Sequence, residues 1–559
     1  MKILLSSICL ETGTDIQLAL YYLKGYLIKI KPAQMGRTRH KMAHLPSNKA
    51  RCVLSFNTRR KMMRRCATSY GKAGCSSEVT IQVFTENQSI PAILRKILES
   101  KAQVIGFSCY LWNIKKTLNI CRRLKEINSG LKIVLGGPEV SPCAEEILAK
   151  EKAIDVVVRG EGEESFAQLA AQTGRSKPAD LSGIRGISFR KGAEIIHNPD
   201  RPLLRNVGRI PSPYLSGLVN LKDKNIVDVP LETMRGCSSR CHYCYYHKNF
   251  PVVRYFSLSR VEKELKLILS HKPHEVYLMD ATFNSNPQRA KRILKIFIRY
   301  NQGANPTGVA LPKHYKEGAN LHVEIKAELV DEEMARLLSQ ANAYNIEIGI
   351  QSTNPKTLKA INRRFNKEKF IKGIRYLNKF KLYYEIQLID ALPHQSYDSL
   401  MKSLDWLYSM HPAKVVIFRL DLLPGTTLRD RAASFGIEYD HCAPYSAYKS
   451  NAMTDTEVKS VEKLSFAIER LYDSQVFQKT LYAFKARAGV KISTILEDWV
   501  AWESRFKRRP ADSPEFLNKK SPMFLEYLCR KHSKAYLYKE LLPGLLKGLC
   551  FTSSLPHHK

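Results

Sequence analysis

Strand-length apolar runs alternate with helix-length amphipathic runs along most of this chain, and nothing else in the sequence constrains its fold as tightly. Ile3–Ser7 reads as a strand, and 16–30 carries Leu18, Leu20, Tyr21, Leu23, Leu27 and Ile30 at helical spacing. After an interruption the alternation resumes. Val79–Phe84, Val104–Ser108, 132–135 and Ala153–Arg159 are predicted strands; Ile90–Ser100, Ile114–Asn128 and Ala144–Lys150 are the predicted helices between them. That order predicts a doubly wound parallel sheet over 1–170, with ligands at the C-terminal ends of its strands. Residues 171–225 read as a connector, rich in Gly, Ser, Pro and Asn, with a small hairpin at 186–197. Its segment Ile210-Pro211-Ser212-Pro213-Tyr214 is held extended by its prolines. From Val227 the alternation returns as six strand–helix units, which predicts a partial, open (β/α)6 barrel over 226–440 with its mouth at the strand C-termini. Beyond 440 only helical patterns remain, so 441–559 reads as an all-α region. The fold class is α/β with a helical C-terminal part.

One short loop carries the chemistry. The apolar run Val227–Met234 is closed by Arg235-Gly236, and then comes Cys237-Ser238-Ser239-Arg240-Cys241-His242-Tyr243-Cys244. Three cysteines at Cys-x3-Cys-x2-Cys spacing lie on the loop leaving a buried strand. Three thiolates on a tight loop can ligate three irons of a cubane [4Fe-4S] cluster, which leaves the fourth iron open for catalysis. A structural zinc site would want four ligands in paired halves; His242 or His247 could be a fourth, but no second Cys-x2-Cys pair exists. A disulfide reading fails on the odd number.

The net charge is +37 over 559 residues. Such a surface attracts polyanions or acidic substrates. Part of the charge is local: 31–77 holds twelve Lys or Arg, no Asp or Glu, and three cysteines (Cys52, Cys66, Cys75) without a metal-site spacing. It reads as a basic insertion lacking the pattern of a packed element. No run of 18 apolar residues is present, so no membrane span is expected. Met1-Lys2-Ile3-Leu4-Leu5 is too short an apolar stretch for a signal peptide. Thirteen cysteines without a paired framework fit a reducing cytoplasm.

The cysteine loop resembles the signature of the radical S-adenosylmethionine (SAM) superfamily, including the aromatic Tyr243 before the last cysteine. The resemblance implies a [4Fe-4S] cluster on Cys237, Cys241 and Cys244, with SAM bound to the open iron through its amino and carboxylate groups. It also implies cleavage of SAM to a 5′-deoxyadenosyl radical and places Tyr243 by the adenine. Asp280-Ala281-Thr282 stands where the family has its SAM amino-group motif, usually Gly-Gly-Glu, so Asp280 and Thr282 become candidates. Glu324, alternating with apolar neighbours on the third strand, could point into the barrel. Glu347-x-Gly349-x-Gln351-Ser352 resembles the family's fourth-strand segment near the ribose and methionine moieties, which makes Glu347, Gln351 and Ser352 candidates; a carboxylate there can bind ribose hydroxyls or an ammonium.

The first sheet resembles the cobalamin-binding domain that precedes many radical SAM domains. The matching pieces are Gly106-Phe107-Ser108, Gly136-Gly137-Pro138-Glu139 and Arg159-Gly160-Glu161-Gly162-Glu163. Glycine turns let the backbone approach a large flat ligand. The resemblance makes Ser108, Gly136, Gly137 and Glu161 cobalamin candidates. The Asp-x-His-x-x-Gly motif is missing, so no cobalt ligand is named. Together the two resemblances imply cobalamin-dependent C-methylation of a small molecule or peptide, with an electron donor such as flavodoxin or ferredoxin. Cobalamin-assisted radical cyclisation or rearrangement is the alternative, and the charge adds a third reading, RNA modification.

Overall fold

β1 (Lys2–Cys9) is buried along seven of its eight residues. A strand apolar on both faces belongs in the middle of a parallel sheet with helices above and below. β1 accordingly pairs in parallel with β2 (Glu78–Thr85) on one side and β3 (Val104–Ser108) on the other. β4 (Lys132–Gly136) and β5 (Val156–Val158) continue the sheet. These five strands lie in the order β2-β1-β3-β4-β5, a doubly wound order whose reversal lies between β1 and β3. The computed structural model describes residues 1–10, 16–29, 78–173, 180–223, 225–301, 318–473, 477–506 and 514–552. The basic stretch 31–77 lies outside the described residues.

The hairpin expected in the connector does more than connect. β6 (Ile187–Lys191) adds antiparallel to β5, and β7 (Glu194–His197) adds to β6, extending the sheet to seven strands. An unpaired β5 edge would leave a row of backbone donors and acceptors open. Arg159, just after β5, anchors the hairpin: its guanidinium reaches Asp200 Oδ1 at 2.8 Å and also bonds Ser188 Oγ.

The second sheet runs β15-β14-β13-β12-β11-β8, parallel throughout. Its strands are β8 (Asp228–Leu231), β11 (Glu275–Leu278), β12 (Asn320–Glu324), β13 (Ala343–Gln351), β14 (Glu385–Ile389) and β15 (Lys414–Phe418). Six parallel strands form the expected partial barrel. A short antiparallel pair, β9 (Met234–Arg235) with β10 (Arg254–Tyr255), sits beside it. Alternation along β13 shows how the sequence dictates the two faces: Ile346, Ile348 and Ile350 are buried against helices, while Glu347, Gly349 and Gln351 face the lumen and are only partly covered. The outer helices start where their caps say they should: Ser257 accepts from Arg260 N, Asn286 from Arg289 N, and Asp331 from Met334 N.

The C-terminal region is helical apart from a small pair, β16 (Glu438–Tyr439) and β17 (Ala447–Lys449). It shares one hydrophobic core with the barrel, in which Leu404, Leu407 and Tyr408 meet Leu471, Leu481 and Trp499. Polar contacts fasten the seam: Ser493 Oγ donates to Asp405 at 2.8 Å, and Val415 N of β15 donates to Asp473 Oδ1 at 3.1 Å. The helices therefore cover the β15 side of the open barrel. Among the described residues no helix is long and apolar enough to cross a membrane.

Candidate active site

The cysteine loop leaves β9 at Gly236, whose φ is +105°; a Cβ there would overlap the carbonyl oxygen of Val252. Only glycine turns the chain at this point. Asp280 lies beneath the turn, 1% exposed. Its Oδ1 accepts from Thr233 N at 2.8 Å and Met234 N at 3.1 Å, and its Oδ2 takes the Thr233 hydroxyl. Burial raises this carboxyl to about 6. Asp280 thus braces the strand end that launches the loop.

Cys237, Cys241 and Cys244 are free thiols, with Cys241 buried and the other two part-buried. Several barrel segments hold their loop. His242 N donates to Ile361 O and Leu428 N donates to His242 O, both at 2.9 Å. Asn362 Nδ2 donates to Arg240 O at 2.8 Å, and Lys326 Nζ to Ser239 Oγ at 2.7 Å. Burial pushes the Cys244 thiol up to about 11, so a metal taking this thiolate displaces a proton. Among the described residues no three His, Cys, Asp or Glu side chains converge as for a single ion. A cubane asks for something else, namely one soft thiolate for each of three separate irons, and three thiols on one pinned loop fit that demand.

Tyr243 and Gln351 meet at the rim of this loop. Arg363 Nη1 lies 3.6 Å from Cys241 Sγ and 3.3 Å from the Tyr243 hydroxyl, and its Nη2 donates to Gly349 O. Gln351, with φ of +69°, lies beside Tyr243, and its Oε1 is buried without a partner. An orphaned acceptor next to the thiols suits a donor such as an ammonium or ribose hydroxyl, and so the rim fits SAM. Thr282 and Ser352 make local bonds: Thr282 Oγ1 donates to Ala281 O at 2.6 Å, and Ser352 Oγ accepts from Asn354 N at 3.1 Å.

Glu324 and Glu347 lie deeper, in a lumen network. His322 bridges Glu275 at 3.2 Å and Glu347 at 2.6 Å, while Gln387 Nε2 donates to Glu347 Oε2 at 2.8 Å. Burial alone would lower His322, but its bonds to Glu275 and Glu347 outweigh that and raise it to about 9. Glu324 accepts from Tyr277 OH at 3.2 Å and is raised to about 7, chiefly by burial and then by the neighbouring Glu347. His322 carried no sequence signal beyond its place in an alternating strand.

A cavity of about 550 Å³ opens between the two sheets. Ser108, Gly136, Gly137 and Glu161 line it from the strand ends of the first sheet; Cys244, Tyr245 and Met279 line it from the barrel. It runs on beneath the sheet between helix α1 (Leu18–Lys29) and the helix Gly162–Thr173, past Leu20, Gly106 and Phe166. Gly137 has φ of +110°, and a Cβ there would lie 2.5 Å from Cys109 O, so the turn that opens the cavity needs glycine. Above Gly160 nothing lies within 4 Å of a Cβ position.

Charged groups close one wall. Arg235, immediately before Gly236, pairs with Glu163 at 2.7 Å, Glu232 at 3.0 Å and Glu161 at 3.1 Å, and stacks over Tyr22 at 5.2 Å. Both oxygens of Glu161 are committed, Oε1 to Arg235 and Oε2 to Arg254 at 2.9 Å and Leu204 N at 2.8 Å. Glu161 therefore clamps the first sheet to the cysteine strand. Its neighbour Glu163 carries the free acceptor: Glu163 Oε2 is buried and unpartnered, and the residue lines the cavity. A large, mostly apolar slot with a few convergent polar groups suits a bulky organic ligand whose periphery bears amide donors. Those features fit a corrin, with Glu163 as the acceptor the sequence did not single out.

Comparison with known proteins agrees with this geometry. Residues 231–407 match the radical SAM superfamily, and 68–170 match the B12 binding domain. The chain is 25% identical over 426 residues to an uncharacterised methyltransferase of Pyrococcus horikoshii, covering 75% of this chain and 86% of that one. It is 31% identical over 194 residues to the 2-(S-pantetheinyl)-carbapenam-3-carboxylate methyltransferase of Streptantibioticus cattleyicolor, covering 33% of this chain but only 28% of the relative. Among solved structures, the cobalamin-dependent S-adenosylmethionine radical enzyme OxsB has the same fold, with a TM-score of 0.59 at 15% identity over 99% of this chain and 79% of that one. The radical SAM methyltransferase TsrM of Kitasatospora setae follows at a TM-score of 0.56 and 15% identity, covering 79% of each chain.

Proposed function

Taking the chain as a radical SAM superfamily member with a B12 binding domain ahead of its barrel, we propose that it is a cobalamin-dependent radical SAM methyltransferase acting on a carbon of a small-molecule substrate. The observation that carries this reading is the cavity: its walls come from the glycine turns of the first sheet and from Cys244 of the second. A ligand in that slot faces the cysteine loop directly. When bound, the [4Fe-4S] cluster on Cys237, Cys241 and Cys244 supplies the electron that breaks a sulfonium bond of SAM, and cobalamin carries the methyl group. The chain's own groups hold and shield. Asp280 and Gly236 fix the exit of the loop, Tyr243 and Gln351 form the rim that receives SAM, and Glu163 accepts from the corrin periphery. The apolar walls around Phe166 and Leu20 exclude water. Glu324 and Glu347 shape the lumen below.

The test is anaerobic reconstitution with iron, sulfide and hydroxocobalamin, then quantification of both. About four irons and one retained cobalamin per chain are expected. Cys241→Ala is expected to lose the cluster and all 5′-deoxyadenosine production. Retained SAM cleavage in that variant, or failure of the wild type to hold cobalamin, would overturn the reading. Labelled SAM methyl appearing in product separates methyl transfer from cobalamin-assisted cyclisation.

A further inference from the structure

Arg363 brings a positive charge to the cysteine loop. It follows Asn362, whose φ of +52° turns the chain back toward the cysteine loop. Its guanidinium is fixed on three sides, by Cys241 Sγ at 3.6 Å, the Tyr243 hydroxyl at 3.3 Å, and Gly349 O. Among the described residues it makes no ion pair, although it is part-buried. A guanidinium stays charged at any working pH, and a charge taken partly out of water needs an opposite charge close by. The nearest candidate is the sulfur of Cys241.

Resting on the reading above, we infer that Arg363 is the counter-charge of the iron–sulfur cluster and sets how easily it is reduced. Reduction adds one electron, from an external donor, to a group already anionic through its three thiolates, and no bond or proton changes place. A fixed cation bonded to one ligand sulfur stabilises the reduced form more than the oxidised one. Partial burial strengthens this, because the field is screened less than at an open surface. Arg363 is thus a positioning and tuning residue. It acts through Cys241, and it also locks Tyr243 against the rim.

The test is the midpoint potential of the reconstituted cluster, followed by electron paramagnetic resonance during a reductive titration without SAM. Omitting SAM separates an effect on the cluster from any contact with SAM. Arg363→Gln keeps hydrogen bonds and removes the charge; Arg363→Lys keeps the charge. At equal iron content, the glutamine variant should show a reduced-to-oxidised ratio about tenfold lower at fixed potential, which is about 59 mV for one electron. The lysine variant should recover most of that difference. Equal midpoints for wild type and Arg363→Gln would overturn the inference, as would a lysine variant no better than glutamine. If Arg363→Gln does not take up iron, Arg363→Met tests the same loss of charge. A wild type that assembles no cluster would instead overturn the functional reading beneath it.

Discussion

Replacing Arg235 with Met should weaken the link between the two sheets in a way that depends on pH. Arg235 is 6% exposed and shares its single charge between Glu163, at 6%, and Glu232, at 14%, while Glu161 keeps Arg254; burial already raises the Glu232 carboxyl. Methionine fills the volume but leaves two buried carboxylates without a cation. The lost positive charge is met by one further carboxyl of the pair taking a proton. Holding a carboxyl protonated at about pH 7.5, against an ordinary value of about 4.3, costs about 1.4 kcal/mol per unit, or about 4 kcal/mol at most per group. That matches the roughly 3–5 kcal/mol expected when a buried pair is broken from one side. The sign follows from linkage. The variant holds about one proton more than the wild type in the folded state, one that its unfolded chain has released, so its stability falls as pH rises above about 4.3. At about pH 5.5 the ceiling per group drops to about 2 kcal/mol. Urea denaturation of wild type and Arg235→Met at both pH values measures the difference. The deficit should be about 4 kcal/mol near pH 7.5 and should shrink by about half near pH 5.5. A deficit below about 1 kcal/mol, or one that does not change with pH, would refute the electrostatic account of this seam.

Two further perturbations address the barrel. Asp280 sits at about 6 in the folded state through burial, above the ordinary Asp value, so its contribution is greatest at low pH and is lost as pH rises through about 4 to 6, by up to about 3 kcal/mol. Asp280→Asn keeps the acceptor for Thr233 N and Met234 N, and its denaturation profile should lack that fall while iron uptake is unchanged. His322 is raised to about 9, so its stabilisation is complete below about pH 6.5 and disappears toward pH 9, by about 3 kcal/mol. His322→Gln should flatten thermal stability over that window, and a wild-type profile already flat there would contradict the assigned ion pairs.

Much of this protein is legible in its sequence because local patterns decide it. The alternation of apolar strands and amphipathic helices determined two parallel α/β units, since a strand buried on both faces has few other places to go. The three-cysteine spacing marked the loop where the chemistry sits, and Gly236 marked its turn. The β6–β7 hairpin was visible as a hairpin, but its addition to the edge of β5 depends on a long-range pairing that no local spacing encodes. Asp280, Thr282 and Ser352 stood out by position, yet whether a polar side chain braces a turn or faces a ligand depends on which backbone groups the fold brings beside it. Glu161 and Glu163 are two residues apart in one motif. Tertiary structure alone decides that the first is spent on Arg235 and Arg254 while the second keeps a free oxygen on the cavity. Arg363 lies over a hundred residues from Cys241 and has no motif of its own. Only the folded chain brings its charge to the sulfur, because the barrel returns each strand end to the same mouth.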